Sequence, residues 1–293
     1  MDMAELGVMG VRQNSHGEHD LAGKIDYSVE IKILYITVSS ADIPVAIYTP
    51  SVTSKKRLAA LVYFHGGGWI SGNISQYHAQ LTNLAKQTNS LIISVNYQKA
   101  PEHKFPIPFN DCYEALEWVM DHANLLNIDR CRIGVGGDSA GGNLAAAVAL
   151  AARDRNLSKL AYQLLIYPCN GPEFVETPDI PNAKNYGLTQ KNMKWMWEMY
   201  LNNEEDKKNA YAVPHAATSY RNLPPAIIIT AEYDVLRRDG ITYYEKLKLA
   251  GNNVVHTDCL GVIHGFFSFG KYIDEAIAIR VWIADHIVKI VGK

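Results

Sequence analysis

Short, largely apolar runs recur along the chain at 58–64, 91–95, 132–135, 162–167 and 226–230, with another at 254–259. Between most of them, apolar residues return at helical spacing, over 76–87, 111–122, 140–153 and 239–250. A strand covered on both faces shows an unbroken apolar run, so this alternation predicts a parallel sheet with helices on each side. Ahead of the series, 27–38 and 43–48 are β-branched and partly alternating. They predict two strands forming an antiparallel edge on the mostly parallel sheet. Residues 1–25 are polar, rich in Gly and His and without clear periodicity, an arm that is either loosely ordered or a short packed helix. Lys55, Lys56 and Arg57 form a solvated basic turn.

The alternation lapses once, between Tyr167 and Ala226. Pro168, Pro172, Pro178, Pro181 and Pro214 break this stretch, and a single helix is expected at 189–201 with Thr189 as its N-cap. A structureless connection of that length is out of keeping with a compact domain. Residues 171–212 therefore read as a helical cap inserted into a main α/β domain of 26–170 and 213–293, with 1–25 an arm that can join the cap.

Composition narrows the function. The 293 residues are 48% apolar and 20% charged, which excludes a disordered chain and suits one large α/β domain with insertions. With 28 basic and 30 acidic side chains there is no positive excess to drive binding to phosphates, so nucleic acid is not an expected partner. The apolar run at 144–152 falls short of the ~18 residues a spanning helix needs, and no stable membrane association is expected. The N-terminus has no basic start followed by an apolar core, so no signal peptide is expected. Cys112, Cys131, Cys169 and Cys259 lack CxxC spacing, suggesting reduced thiols in a cytoplasmic protein rather than a zinc site or a disulfide framework.

Two motifs carry chemistry. Gly137-Asp138-Ser139-Ala140-Gly141 joins the strand at 132–135 to an Ala-rich helix. G-x-S-x-G at such a junction is a nucleophile elbow: the serine sits in strained backbone, and the following helix turns its N-terminal dipole toward developing negative charge. Asp138 is expected to brace neighbouring loops. The second motif, His65-Gly66-Gly67-Gly68-Trp69, follows the strand at 58–64. Bare glycine N–H groups suit an oxyanion hole, with Gly67, Gly68 and Ala140 as donors. A phosphate loop would require Lys and then Ser or Thr after the glycines, and Trp69-Ile70 is neither.

Together these motifs resemble the paired signature of the hormone-sensitive-lipase-like esterase branch of the α/β-hydrolases. The segment Asn96-Tyr97-Gln98-Lys99-Ala100-Pro101-Glu102-His103-Lys104-Phe105-Pro106 is similar to the family's Tyr-Arg-Leu-Ala-Pro-Glu-His-x-Phe-Pro, with Gln98 and Lys99 in place of Arg and Leu. The resemblance extends over 28–290. It implies an α/β-hydrolase fold with a mostly parallel central sheet, antiparallel edge strands, helices on both faces and a helical cap. It also implies a serine carboxylesterase for short- to medium-chain acyl esters that needs no metal or organic cofactor.

The triad order on this fold is Ser, acid, His. Of the histidines after Ser139, His256 lies within a strand, His286 on the final helix and His215 before the candidate acid. His264-Gly265-Phe266 matches the family's His-Gly-Phe and follows the strand at 254–259. For the acid, Asp234-Val235-Leu236 stands where the family has Asp-Pro-Leu, with Val235 and Arg238 as departures and Glu232 and Asp239 as rivals. On the cap helix, Met193, Met196, Trp197 and Tyr200 form a stripe that Trp195 and Met199 widen. This stripe suits either a buried face or an adaptable lid over an acyl pocket. Trp69, Trp195, Met196 and Met199 are the candidate substrate contacts. The arm is shorter than the family's usual one, which implies a more open pocket.

Two other activities stay open: an amidase or deacetylase using the same triad, and a non-catalytic receptor for small molecules, which the presence of Ser139, Asp234 and His264 together disfavours. An interfacial lipase would need the basic polar face that this cap helix lacks. Family members pair through the last strand and helix, here 254–259 and 274–291, which suggests a homodimer.

Overall fold

In strand β3 (Leu58–Phe64) all seven residues are buried, but they serve two separate cores. Leu58, Ala60, Val62 and Phe64 enter one, and Ala59, Leu61 and Tyr63 the other. Period-two geometry sends neighbours to opposite faces, and with both faces covered the strand appears in sequence as a continuous apolar run. The computed structural model describes residues 2–15, 21–51, 56–173 and 186–292.

The sheet also contains β1 (Glu30–Thr37), β2 (Asp42–Thr49), β4 (Ser90–Val95), β5 (Ile128–Asp138), β6 (Tyr162–Ile166), β7 (Ala226–Tyr233) and β8 (Val254–Ile263). Its strand order is β1-β2-β4-β3-β5-β6-β7-β8. β1 and β2 are antiparallel to their neighbours, and every pairing from β4 to β8 is parallel. Helices α3 (Ile107–Asp121), α4 (Ala140–Asp154) and α6 (Arg237–Leu249) cover one face, with Phe109, Leu116, Leu144 and Leu247 in its core. Helices α2 (His78–Thr88) and α7 (Asp274–Val291) cover the other through Leu81, Leu84, Ile279, Ile283 and Ile287. Each such side chain contributes about 1.5–3 kcal/mol by leaving water. Among the described residues no helix is long and apolar enough to cross a membrane.

Several elements depart from the expected bounds for local reasons. β5, β7 and β8 run past the apolar patterns at 132–135, 226–230 and 254–259, because the ladder continues through polar and glycine residues as far as Asp138↔Ile166 and Tyr233↔Ile263. The first strand starts at Glu30 rather than 27, since the Asp26 carboxylate accepts from the Ser28 amide (3.0 Å) and closes a turn. The helix expected from 111 starts at Ile107, with Pro108 in its first turn, where a missing N–H costs nothing. The one expected from 76 is a 3-10 turn at Ile74–Tyr77, closed by an Asn73–Gln76 capping box, that runs into α2.

The arm holds a helix, α1 (Met3–Ser15), broken at Gly7. It lies against α5 (Gln190–Tyr200), where the Met3 amide donates to Asn192 Oδ1 (3.1 Å) and Lys191 pairs with Asp2. Thr189 Oγ1 accepts from the Asn192 amide (3.1 Å), the N-cap its position suggested. Residues 174–185 of the expected cap, with Pro178 and Pro181, lie outside the described residues, as do 16–20 of the arm and Lys55 of the basic turn.

Gln98, one of the family departures, leaves a mark on stability. Asp111 is 1% exposed, and its carboxylate accepts from Ser40 Oγ (2.7 Å), the Gln98 amide (2.8 Å) and Gln98 Nε2 (3.3 Å). Burial raises its pKa, against the pull of these hydrogen bonds. The folded protein thus holds this proton more tightly than the unfolded chain does. The associated stability is greatest below the ordinary carboxylate range and is lost as pH rises through the raised value. Asp111→Asn should flatten the pH dependence of stability over that window, read from urea unfolding midpoints taken in steps from below the ordinary carboxylate range up to neutral pH; an unchanged slope would contradict it.

Candidate active site

Ser139 sits at the β5–α4 junction with φ 55° and ψ −120°, a conformation that costs a non-glycine residue roughly 1–3 kcal/mol. The turn is tight enough that a Cβ on Gly141 would run into the Phe64 carbonyl. Its strain is held by the Ser139 amide donating to Ile166 O (2.9 Å) and by Ser139 O accepting from the Asn143 amide (3.0 Å). The first turn of α4 stands directly behind the hydroxyl.

His264 follows β8, and Asp234 lies between β7 and α6. The Ser139 hydroxyl donates to His264 Nε2 at 2.9 Å, and His264 Nδ1–H donates to Asp234 Oδ2 at 2.7 Å. Asp234 is 1% exposed, and its Oδ1 accepts from the Leu236 amide (2.9 Å), so both carboxylate oxygens are engaged. Tyr167 packs its ring against His264, with centroids 4.7 Å apart.

The rival residues are occupied elsewhere. Glu232 accepts from the Gly261 amide, and Asp239 binds the Asn170 and Gly171 amides and His215 Nε2 (3.0 Å). The other face of His215 receives Lys246 Nζ at 3.2 Å rather than a hydroxyl. His256 pairs with Thr230 Oγ1, and His286 with the Trp282 carbonyl.

The glycine loop is anchored at several points. Asp138 accepts from Tyr63 OH (2.8 Å), Tyr77 OH (2.9 Å) and the Gly66 amide (3.0 Å), tying the elbow to the glycine loop. Burial pushes its carboxyl up, and these three donors pull it back. His65 donates from Nδ1 to Gly66 O (2.8 Å) and stacks on Tyr97 at 4.5 Å. Burial, helped by the charge of Lys99, lowers His65 to about 3, so its ring is neutral at physiological pH. Gly67 O accepts from the Ile70 and Ser71 amides, which closes the loop on itself.

Beyond the glycines, Trp69 has φ 60° and is fully buried. Its ring stacks on Tyr200 (4.5 Å, 4°) and meets Trp197 at 4.4 Å, both on α5. Expected at the substrate, Trp69 is instead held inside the first core, where Tyr200 and Trp197 enclose its ring. Of the other candidate contacts, Met196 is buried beside Gly68, where a Cβ would overlap its Sδ, and Trp195 and Met199 are half-buried against the same core. The stripe is thus chiefly a packed face.

Arg12 of α1, not singled out in the sequence, donates from Nε to Ile70 O (2.8 Å) and from its terminal nitrogens to Glu102 (2.8 and 2.6 Å). Nothing in the local pattern of the arm marks it, since its partners lie at 70 and 102.

Residues 61–268 match a family described by the alpha/beta hydrolase fold. An arylesterase of Saccharolobus solfataricus is 35% identical over 238 residues, covering 81% of this chain and 77% of that protein. The carboxylesterase NlhH of Mycobacterium tuberculosis is 35% identical over 240 residues, covering 80% and 74%. The crystal structure of EstE1, a thermophilic carboxylesterase from a metagenomic library, superposes with a TM-score of 0.93 at 33% identity, covering 99% of this chain and 100% of that one.

Proposed function

The chain belongs to the hormone-sensitive-lipase-like esterase branch of the α/β-hydrolase family and is a carboxylic ester hydrolase; we propose that it cleaves short- to medium-chain acyl esters with Ser139, His264 and Asp234. The observation that carries this assignment is the unbroken hydrogen-bonded series from Ser139 Oγ through the His264 ring to Asp234.

Ser139 Oγ attacks the ester carbonyl carbon while His264 Nε2 takes its proton. Asp234 keeps the ring in the Nδ1–H tautomer and stabilises the imidazolium. The N–H groups of Gly67, Gly68 and Ala140 hold the new oxyanion, an effect worth roughly 3–4 kcal/mol per well-placed donor. His264 then protonates the departing alcohol, and a water that it activates releases the acid from the acyl-enzyme. Asp138 and His65 touch no reacting atom; they hold the donors in place.

Acyl length is set where α5 meets the loop. Met193, Met196, Trp197 and Tyr200 are buried, so long chains must compete with side chains already packed there. On p-nitrophenyl esters from acetate to laurate, kcat/KM should peak at the short end and fall at least about tenfold by laurate. A peak at laurate would overturn the chain-length assignment, and faster cleavage of a matched anilide would favour the amidase. All four cysteines are free thiols, which supports a cytoplasmic setting, and the open edge of β8 is where a homodimer would pair.

A further inference from the structure

We propose that Arg280, on α7, is the positioning residue that sets His264 against Ser139, acting through the turn that follows the histidine; the inference rests on the esterase assignment above. Arg280 is 5% exposed, and among the described residues no carboxylate pairs with it. A guanidinium withdrawn from water without a counter-charge is costly unless backbone or side-chain dipoles replace the lost hydration. Here the replacements are two carbonyls from distant parts of the chain. Arg280 Nη2 donates to Phe267 O at 2.7 Å and to Ala22 O at 3.2 Å.

Phe267 belongs to the 3-10 turn at Phe266–Ser268, which begins two residues after His264. The guanidinium also lies over the Phe267 ring, 5.3 Å from its centroid. Gly270 lies flat against it, since a Cβ there would come within 2.7 Å of Nη2. Three residues beyond the turn, the Lys271 amide meets the arm again by donating to Leu21 O (3.0 Å). One buried cation thus ties three pieces together: α7, the turn that follows His264, and the arm at Ala22. Burial lowers Arg280 to about 10, which leaves it charged at neutral pH.

The Ser139–His264 contact of 2.9 Å tolerates little movement, because displacing a catalytic group by about 1 Å can cost on the order of 10²-fold in rate. Removing the donor to Phe267 O frees the turn one step from the imidazole. The ester-binding surface around Gly68 and Met196 stays as it was. The loss should therefore fall on kcat and not on KM.

The test measures Arg280→Met and Arg280→Lys on p-nitrophenyl acetate, with kcat expressed per active site titrated to completion by an organophosphate. Arg280→Met should lower kcat by about 10- to 100-fold with KM within about twofold. Arg280→Lys, which keeps the charge and one donor, should recover part of that loss. Unchanged kcat per titrated site, whatever the melting temperature does, would overturn the proposal, as would a loss confined to KM. Should Arg280→Met yield no titratable sites, Gly270→Ala decides, since its Cβ would press on both terminal guanidinium nitrogens and on Ala22 O, disturbing this junction while keeping the charge: a matching fall in kcat supports the proposal and an unchanged kcat overturns it. Failure of the esterase assignment would look different, with wild type inert on the ester or Ser139→Ala fully active.

Discussion

Ser139→Ala will lower kcat on p-nitrophenyl acetate by on the order of 10⁴- to 10⁶-fold, and adding His264→Ala will cost almost nothing further. In the proposed mechanism the two groups act as a unit. Without the hydroxyl there is no nucleophile for the imidazole to activate, and without the imidazole the serine keeps its proton. Asp234→Asn should cost less than either, since the ring would keep Ser139 as a neighbour while losing the acceptor that selects its tautomer. Steady-state rates of the single and double variants, on protein of verified fold, make the comparison. Effects of Ser139→Ala and His264→Ala that multiply would mean the two residues work independently, and the triad assignment would fall.

Gly67→Ala should reduce kcat by roughly 10²- to 10³-fold at little change in KM, the loss expected when oxyanion donors are displaced. Gly67 has φ 119°, a region closed to alanine, and an added Cβ would press into the Ser71 carbonyl. Both contacts are backbone, so no side chain can move to relieve them, and the loop must shift. The loop is tied at either end, through Gly66 to Asp138 and through Ile70 to Arg12, so the shift falls on the N–H groups between. Burst and steady-state rates would show both acylation and deacylation slowed, because each passes through an oxyanion. Wild-type turnover in this variant would place the donors elsewhere.

These anchors change how the cap is understood. Trp69, at φ 60°, has its ring enclosed by Trp197 and Tyr200, and Phe105 N donates to Tyr200 O (2.9 Å). Lifting α5 would release Trp69 and with it the strained backbone next to Gly68. The described part of the cap packs on the glycine loop through Trp69, Trp197 and Tyr200.

What the chain determines locally could be read directly. A strand buried on both sides must be apolar throughout, a sharp strand-to-helix turn needs small residues around its serine, and a loop of bare amides needs consecutive glycines. Hence the alternating elements, Ser139 and the loop from His65 to Trp69 were legible. The bounds were less so wherever β5, β7 and β8 extend into polar residues, because hydrogen-bond ladders continue after hydrophobicity stops. Choosing His264 and Asp234 among their rivals drew on family likeness, since spacing alone leaves Glu232 and Asp239 as rival acids.

Only the tertiary structure decided the rest. Ser139 and His264 are 125 positions apart, and they meet because the parallel order β5-β6-β7-β8 delivers all three site residues to the same end of the sheet. Trp69 turned inward because two α5 rings stack on it across the cap. Arg12 and Arg280 gained their roles from carbonyls at Ile70, Phe267 and Ala22, none of them a sequence neighbour. Hydrophobic periodicity and turn chemistry are properties of a few adjacent residues and survive in any arrangement of the chain. A contact between distant residues depends on strand order and packing, which no single segment encodes.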